Sequence, residues 1–167
     1  MADDPRAIGL GITLSGVLLG AAFAVGMATK GLVPTVSVAL TSLTLEVLVG
    51  AAASMPLGFD PAIGALVASL ANLAPAPFIM VGFDSLVRRW NWLSRKLEKA
   101  EKLGAKYGKY GVWVLAPLAP FLGVYVTVSM GVLFRFRPVW VLVSLGVGVL
   151  ASALLTTSGL AELTRLL

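Results

Sequence analysis

The chain has 167 residues, of which 58% are apolar and 13% are charged, and its mean hydropathy is +0.94. A soluble domain of this length cannot bury that much apolar surface in one core, so we predict an integral membrane protein. The net charge is +5, and the sequence contains neither cysteine nor histidine. This excludes thiolate or imidazole metal sites and the usual Ser-His and Cys-His nucleophiles, so we expect no enzyme, no metal and no cofactor.

Four uncharged blocks exceed the roughly 20 residues that a helix needs to cross a bilayer. They cover residues 7–29, 61–83, 111–134 and 138–161. The first block is too long for the apolar part of a signal peptide, and no basic segment precedes it. We therefore predict spanning helices at 7–29, 60–83 and 137–161, and we expect Pro75 and Pro77 to kink the second helix.

A further apolar stretch, residues 35–57, contains a single charged residue, Glu46, near its middle. A carboxylate at that depth is costly, so it usually marks an ion or substrate pathway. Burial favours the neutral form of a carboxyl group, which suits a site that binds and releases a proton or cation. The alternative is a structural glutamate that pairs with backbone amides or with an arginine, for which Arg135 and Arg137 are the candidates.

The segment between the second and third uncharged blocks is strongly basic. Residues 84–109 hold eight of the 13 basic residues of the chain. The positive-inside rule assigns this segment to the cytoplasm, where it would contact anionic headgroups rather than nucleic acid. Leucine and tryptophan recur in it at helical spacing, which predicts an amphipathic helix in the membrane interface.

Two parts of the sequence are alike at an offset of 77 residues. Phe-Asp-Pro begins at residue 59 and Phe-Arg-Pro begins at residue 136, each just before an apolar block. Each motif follows an apolar segment that is interrupted by proline, glycine or a charge, residues 34–58 and 111–135. This order indicates an inverted internal repeat of the transporter kind, although two short apolar stretches can also match by chance.

The two interrupted segments either cross the bilayer or enter and return on one side. With the basic segment in the cytoplasm, double re-entry puts 11 basic residues inside and 2 outside, whereas double crossing gives 10 and 3. We therefore predict two re-entrant hairpins, at 34–58 and 111–135, with a proline-kinked spanning helix as the alternative. The residues expected to break these hairpins are Pro56, Pro117, Pro120 and Gly123.

Four polar residues outside the basic segment complete the candidate set. Asp60 precedes a proline, so it either caps a helix or lies at the extracellular mouth of the first hairpin. Arg135 and Arg137 either set the orientation or bind a lipid phosphate with their guanidinium groups at the cytoplasmic mouth. Asn72 should form an interhelical hydrogen bond in mid-membrane.

Two stretches carry a family resemblance. The first contains Glu46, Gly50, Pro56, Asn72, Pro75 and Pro77, and the second runs from Lys106 (KYGKYG) through Pro117 and Pro120 to Gly123. They resemble the two signature regions of the small multidrug export protein family, which is similar to the broader DedA/VTT superfamily. The likeness covers roughly residues 41–159. The family's arginine shortly after the glutamate is missing here, and its second Pro-Gly is altered.

The resemblance implies two facing re-entrant hairpins, each followed by a tilted spanning helix. It implies an acidic pair in the first half, matched by Glu46 and Asp60, and an arginine pair in the second half, matched by Arg135 and Arg137. It also implies proton-coupled transport of lipid-linked phosphates or drugs, or lipid scrambling.

We therefore predict an all-α polytopic protein of the plasma membrane, with one domain over residues 1–167, that moves lipid-linked phosphate or phospholipid headgroups. Glu46 would exchange a proton, and Arg135 and Arg137 would hold the phosphate. One alternative is a proton-coupled exporter of cationic drugs that are bound by Glu46 and Asp60. The other is a non-transporting scaffold that forms homo-oligomers.

Overall fold

The computed structural model describes residues 5–89 and 108–166, and every regular element in these two ranges is helical. Residues 90–107, which include most of the predicted interfacial helix, lie outside the described part. The elements are α1 (Pro5–Lys30), α2 (Leu32–Leu45), α3 (Val47–Ser54), α4 (Pro61–Leu73), α5 (Ala76–Arg89), a 3₁₀ helix (Gly108–Val114), α6 (Leu115–Leu122), α7 (Val124–Leu133) and α8 (Pro138–Leu166).

Three of the described helical segments are long and apolar enough to cross a membrane. They are Ile8–Lys30, Pro61–Phe83 and Pro138–Leu166, with mean hydropathies of 2.1, 1.7 and 2.2. These segments coincide with the predicted spanning helices, and the last one continues beyond residue 161. The prediction of an all-α protein with three helices long and apolar enough to cross a membrane is confirmed for the described ranges.

The second of these segments is interrupted between α4 and α5, at Ala74 and Pro75. The N–H of Ala74 donates to the carbonyl of Ala71 at 3.2 Å, and helical bonding resumes where Ile79 N–H donates to Pro75 O at 2.9 Å. Because Pro75 and Pro77 have no N–H, the regular bonding pattern cannot continue through them. The interruption lies at the prolines where the sequence predicted a kink.

The chain reverses direction at Glu46, between α2 and α3. Ser42 and Gly50 lie four residues before and after it, and a Cβ atom on Gly50 would overlap the hydroxyl of Ser42. In a straight helix these two residues would be about 12 Å apart. Glu46 itself has φ 82° and ψ 162°, a left-handed conformation that ends α2. The two helices therefore pack as an antiparallel pair, which we call hairpin 1 (residues 31–58).

Hairpin 1 begins and ends at the same end of the molecule. The ammonium Nζ of Lys30, at the end of α1, lies 3.6 Å from the position that a Cβ on Gly58 would take. Gly58 directly precedes the Phe-Asp-Pro motif of residues 59–61, and α4 begins at the proline of this motif. Hairpin 1 therefore opens beside the start of α4.

A second reversal joins α6 and α7 at Gly123, which has φ 83° and ψ 151°. The start of this segment lies beside the first turns of α8. The Ser144 hydroxyl donates to the Val112 carbonyl at 2.8 Å, and the rings of Trp113 and Trp140 are 6.5 Å apart. Because α8 begins three residues after Arg135, this second segment, hairpin 2 (residues 111–135), also begins and ends at one end of the molecule.

The two hairpins open at opposite ends of the molecule. A Cβ on Gly146 would lie 3.9 Å from Leu73, and Leu73, Pro77 and Leu142 line one cavity. This register makes α8 antiparallel to α4 and α5. The start of α8 therefore lies beside α5, far from the start of α4, where Asp60 and hairpin 1 open.

The local backbone of hairpin 1 recurs in hairpin 2 at the offset of 77 residues. Both reversal points have nearly equal torsion angles, and the residues just before the two Phe-x-Pro motifs, Gly58 and Arg135, both have positive φ. Four backbone hydrogen bonds of hairpin 1 and the start of α4 have counterparts 77 residues later: Gly50–Glu46 with Thr127–Gly123, Gly58–Met55 with Arg135–Val132, Phe59–Ser54 with Phe136–Gly131, and Gly64–Asp60 with Val141–Arg137.

The core lies where both hairpins pack against α4 and α8, and its buried side chains are mostly small. They include Val38, Val47, Ala65, Ala68, Ala119, Val128, Leu145 and Val149. Close packing of small residues is the main attraction between helices in lipid, where the surroundings are as apolar as the core. In contrast, α1 is largely exposed along its length.

Candidate functional site at the two helix breaks

The two reversal points touch each other through the side chain of Glu46. Its Cδ lies 3.0 Å and its Oε2 3.5 Å from the position that a Cβ on Gly123 would occupy, and its Oε1 would overlap such an atom. Gly123 is buried. The carboxylate of hairpin 1 therefore fills the space that the absent side chain leaves at the tip of hairpin 2.

This contact lies level with the middle of the second spanning segment. Asn72 is the central residue of Pro61–Phe83, about 17 Å along the helix from either end. Its amide Nδ2 donates to the carbonyl of Ser42, one turn before Glu46, at 2.6 Å. The interhelical hydrogen bond predicted for Asn72 is thus present. It places the break in hairpin 1 at the level of the middle of the second spanning segment.

Side chains from two other helices bond carbonyl groups that the break leaves free. The last four carbonyls of α2 have no helical N–H partner. Asn72 on α4 bonds Ser42 O, and the phenol OH of Tyr125 on α7 donates to Leu43 O. Our sequence reasoning did not select Tyr125. A phenol two residues after the predicted break at Gly123 was the available signal.

Several buried polar atoms around the break have no hydrogen-bond partner within the described ranges. They are Glu46 Oε2, Ser42 Oγ, Ser69 Oγ and Asn72 Oδ1, and the only other such side-chain atom in those ranges is Ser15 Oγ on α1. Leaving a buried polar group unpaired costs about 1 to 3 kcal/mol. Each of these groups therefore needs a partner that the described residues do not supply.

The charges at the break are unevenly distributed. The C-terminus of α2 carries the negative end of that helix dipole, and Glu46 adds a carboxylate to it. The same carboxylate lies at the N-terminus of α7, whose positive dipole end favours it. Glu46 is also the N-cap residue of α3, so a second positive dipole end lies at the same point.

Asp60 lies apart from this site. Its Oδ1 accepts a hydrogen bond from the N–H of Ala62 at 3.0 Å, which makes it the N-cap of α4. It is exposed, and the eight residues of α3, about 12 Å of helix, separate it from the break. The capping contact accounts for an aspartate at this position, and the structure does not bring Asp60 together with Glu46.

Arg135 and Arg137 lie at the other end of the molecule, at the start of α8, and both are exposed. The ten residues of α7, about 15 Å of helix, separate them from Gly123 and the carboxylate beside it. The structure therefore does not pair either arginine with Glu46. Both arginines are exposed near the opening of hairpin 2.

Three of the four predicted break residues lie away from the reversal points. Pro56 is in the exposed turn that follows α3, and Pro117 and Pro120 lie within α6, whereas Gly123 is the reversal point itself. Pro117 is in the first helical turn, where the N–H would have no partner in any case. Pro120 removes the N–H that would bond the Ala116 carbonyl, but the helix still continues to Leu122.

Comparisons of the chain with protein-family models, with curated proteins and with solved structures found no match. The family resemblance therefore remains a prediction from the motifs.

Proposed function

We propose that this protein is a membrane transporter whose cargo crosses at the junction of hairpins 1 and 2. Glu46 is the group that binds and releases the coupling ion. The observation that carries the proposal is the contact between Glu46 and Gly123, the two reversal points of the chain. Glu46 is only partly exposed and its Oε2 is buried, and a carboxylate in mid-membrane is the usual mark of an ion pathway.

In this proposal the hairpins are re-entrant and form an inverted repeat. The support comes from their openings at opposite ends of the molecule and from the hydrogen bonds that recur at an offset of 77 residues. Irregular backbone is tolerated at membrane depth only where protein covers it or where it lines a cavity, and broken helices near the midplane typically form the binding sites of transporters. The same arrangement is what the resemblance to the DedA/VTT superfamily implies.

The proposed cargo is a lipid-linked phosphate or a phospholipid headgroup in the plasma membrane. Residues 84–109 would be cytoplasmic, and Arg135 and Arg137 would hold the phosphate at the cytoplasmic opening of hairpin 2. Their exposure at that opening supports this role. Because both arginines are separated from Glu46, the phosphate would be bound at the opening of hairpin 2, and the ion would be exchanged deeper in the membrane, at the hairpin tips.

One observation favours the alternative, an exporter of cationic drugs. An apolar cavity of about 210 Å³ is lined by leucine, valine and proline side chains of α1, α4, α5 and α8, among them Leu73, which is adjacent to Asn72. The apolar part of an amphipathic cation would fit there, although Glu46 is not among the residues that line the cavity. The cap bond of Asp60 and its distance from the break argue against a part for Asp60 in that site.

A lipid-flip assay in proteoliposomes, with a pH gradient imposed and then removed, tests the proposal. Wild-type protein should move fluorescent phospholipid, and Glu46→Gln should abolish movement while the protein still folds. Glu162→Gln is the matched control, because Glu162 is exposed and pairs with Arg165 at the end of α8. Full activity of Glu46→Gln would remove Glu46 from the mechanism.

The arginines separate the two kinds of cargo. Neutralising Arg135 and Arg137 together should stop a phosphate carrier and leave a cation exporter active. Vesicles that show neither lipid exchange nor proton movement would support the non-transporting scaffold instead.

A further inference from the structure

We propose that the cavity between α1 and the helices α4, α5 and α8 holds one acyl chain of a phospholipid that stays bound to the protein. The cavity has a volume of about 210 Å³, and six residues line it: Leu14, Val17, Leu18, Leu73, Pro77 and Leu142. The proposal rests on the part of the proposed function that puts these helices in a bilayer, and not on transport. The bound lipid is distinct from the cargo.

Helix α1 approaches the rest of the molecule closely on either side of this cavity. A Cβ on Gly11 would lie 3.2 Å from the carbonyl oxygen of Pro77 on α5, and Ala22 packs in a cluster of buried alanines with α2 and α4. These two contacts are about 16 Å apart along α1. Between them, Leu14 and Val17 are 40% and 61% exposed. The cavity is therefore open at the surface along α1.

The lining residues lie in one range of depth on all the helices. The close approach of Gly11 to Pro77 puts the start of α1 at the same end of the molecule as the end of α5 and the start of α8. The spanning segments end there at Ile8, Phe83 and Pro138, and the lining residues are four to ten residues from these ends. This corresponds to depths of about 6 to 15 Å. Half of the hydrocarbon core of a bilayer is about 15 Å thick, so the cavity lies at the depth of the acyl chains of one leaflet.

The lining of the cavity fits a hydrocarbon chain better than water or a cation. All six lining side chains are apolar, and a stable water needs two to four polar partners. The charge of a cationic ligand finds no partner there either, because Glu46 is not a lining residue. An apolar cavity of roughly 150 Å³ is large enough to bind benzene, so this one admits part of an acyl chain. The chain would supply the dispersion contacts that an empty cavity forfeits.

The charge at this end of the molecule fits a phospholipid. Arg137 is exposed, and it lies five residues before Leu142, about 7.5 Å along the helix. A chain held beside Leu142, with its headgroup toward this end, would have its phosphate near the level of Arg137. Guanidinium groups bind phosphate through paired hydrogen bonds. The lipid would then bridge α8 and α1, a helix whose spanning window is only 11% buried.

The test measures equilibrium binding of radiolabelled dioleoyl phosphatidylglycerol to the full chain in a steroidal detergent, which has no flexible chain to compete for the cavity. Thermal unfolding is followed in parallel. Wild-type protein should bind the lipid saturably and be stabilised by it. Leu18→Trp fills the cavity and should weaken binding roughly tenfold. Ile12→Trp is the matched control, because Ile12 is 56% exposed and lies on the opposite face of α1 from the lining residues.

Absence of saturable lipid binding in wild-type protein would overturn the site, and so would equal weakening by Ile12→Trp. Leu14→Trp fills the cavity from the same helix and keeps the test valid if Leu18→Trp does not fold. Tetraphenylphosphonium, a hydrophobic cation, serves as a competitor and should leave lipid binding unchanged. Its displacement of the lipid from wild-type protein would assign the cavity to cations instead.

Glu46→Gln separates this site from the proposed transport route. The variant should bind the lipid as wild type does, while its lipid movement stops. Loss of the bound lipid in Glu46→Gln would place that lipid at the hairpin tips and overturn the cavity as its site. Saturable, Leu18-dependent binding without any lipid movement by wild-type protein would refute the transporter and leave the cavity site standing.

Discussion

The carbonyl oxygen of Ala116 packs against the Cα of Gly148, so closely that a Cβ on Gly148 would overlap it. Pro120 frees this carbonyl because it lacks the N–H that would otherwise bond it. The contact joins hairpin 2 to α8 with no side chain between the two backbones. A proline in one helix is thus accommodated by a glycine in another.

Gly148→Ala should destabilise the protein, by about 1 to 3 kcal/mol, because two helix backbones must separate to admit the methyl group. Thermal unfolding in detergent measures the change. Gly146→Ala is the control on the same helix, since its new Cβ would lie 3.9 Å from Leu73, an ordinary contact. Alanine is the better helix former, so Gly146→Ala should be neutral or slightly stabilising. Equal losses in the two variants would contradict the packing argument.

Gly123→Ala should be costly for two separable reasons, backbone strain at φ 83° and overlap with the Glu46 carboxylate. Gly31→Ala isolates the first reason, because Gly31 has φ 80° and no atom lies within 4 Å of its Cβ position. Strain alone is worth about 1 to 3 kcal/mol in this region of positive φ and extended ψ, which is almost exclusive to glycine. The loss in Gly123→Ala should exceed the loss in Gly31→Ala, measured as midpoints of thermal unfolding.

A double-mutant cycle checks the second reason. In a Glu46→Ala background the carboxylate is gone, and the excess cost of Gly123→Ala should disappear. If the excess persists there, the contact between the two reversal points is not what constrains Gly123.

Tyr125→Phe should destabilise the tip of hairpin 1, because the carbonyl of Leu43 loses the hydrogen bond that the phenol donates to it. We expect a loss of about 1 to 3 kcal/mol, the cost of an unpaired buried group, with reduced lipid movement. Thr44→Val is a suitable control, since the Thr44 hydroxyl is exposed and bonds its own helix. A Tyr125→Phe variant as stable and active as wild type would exclude a role for the phenol in holding the break.

The spanning helices and the break differ in how far the sequence predicts them. An uncharged run of more than 20 residues leaves few alternatives to a spanning helix, so these segments were predictable. The reversal at Glu46 has no such local signal, because the residues beside it are Leu45 and Val47 and no glycine or proline is adjacent. It depends on tertiary packing, in which Gly50 admits Ser42 and Asn72 bonds the freed carbonyl.

The candidate site was predictable only in part for the same reason. A lone carboxylate in an apolar run draws attention to Glu46 through its desolvation cost. Three of the four predicted break residues are prolines (Pro56, Pro117 and Pro120) that lie away from the reversals, whereas the fourth, Gly123, is itself a reversal point. Tyr125 resembles any aromatic residue of an apolar segment until the structure brings its hydroxyl to Leu43 O.

Single cysteines provide a direct test of the membrane arrangement, because the chain has no native cysteine. Lys30 and Asp60 lie on either side of hairpin 1, and Lys30 Nζ approaches Gly58. If hairpin 1 is re-entrant, Lys30→Cys and Asp60→Cys should react with a membrane-impermeant maleimide from the same side.

Arg137→Cys, at the opening of hairpin 2, should react only from the opposite side. Thr164→Cys, near the far end of α8, should share the side of Asp60→Cys, because α8 runs antiparallel to α4 and α5 across the bilayer. Labelling of Lys30→Cys and Asp60→Cys from opposite sides would mean that residues 31–58 cross the membrane, and the proposed route between two hairpin tips would not exist.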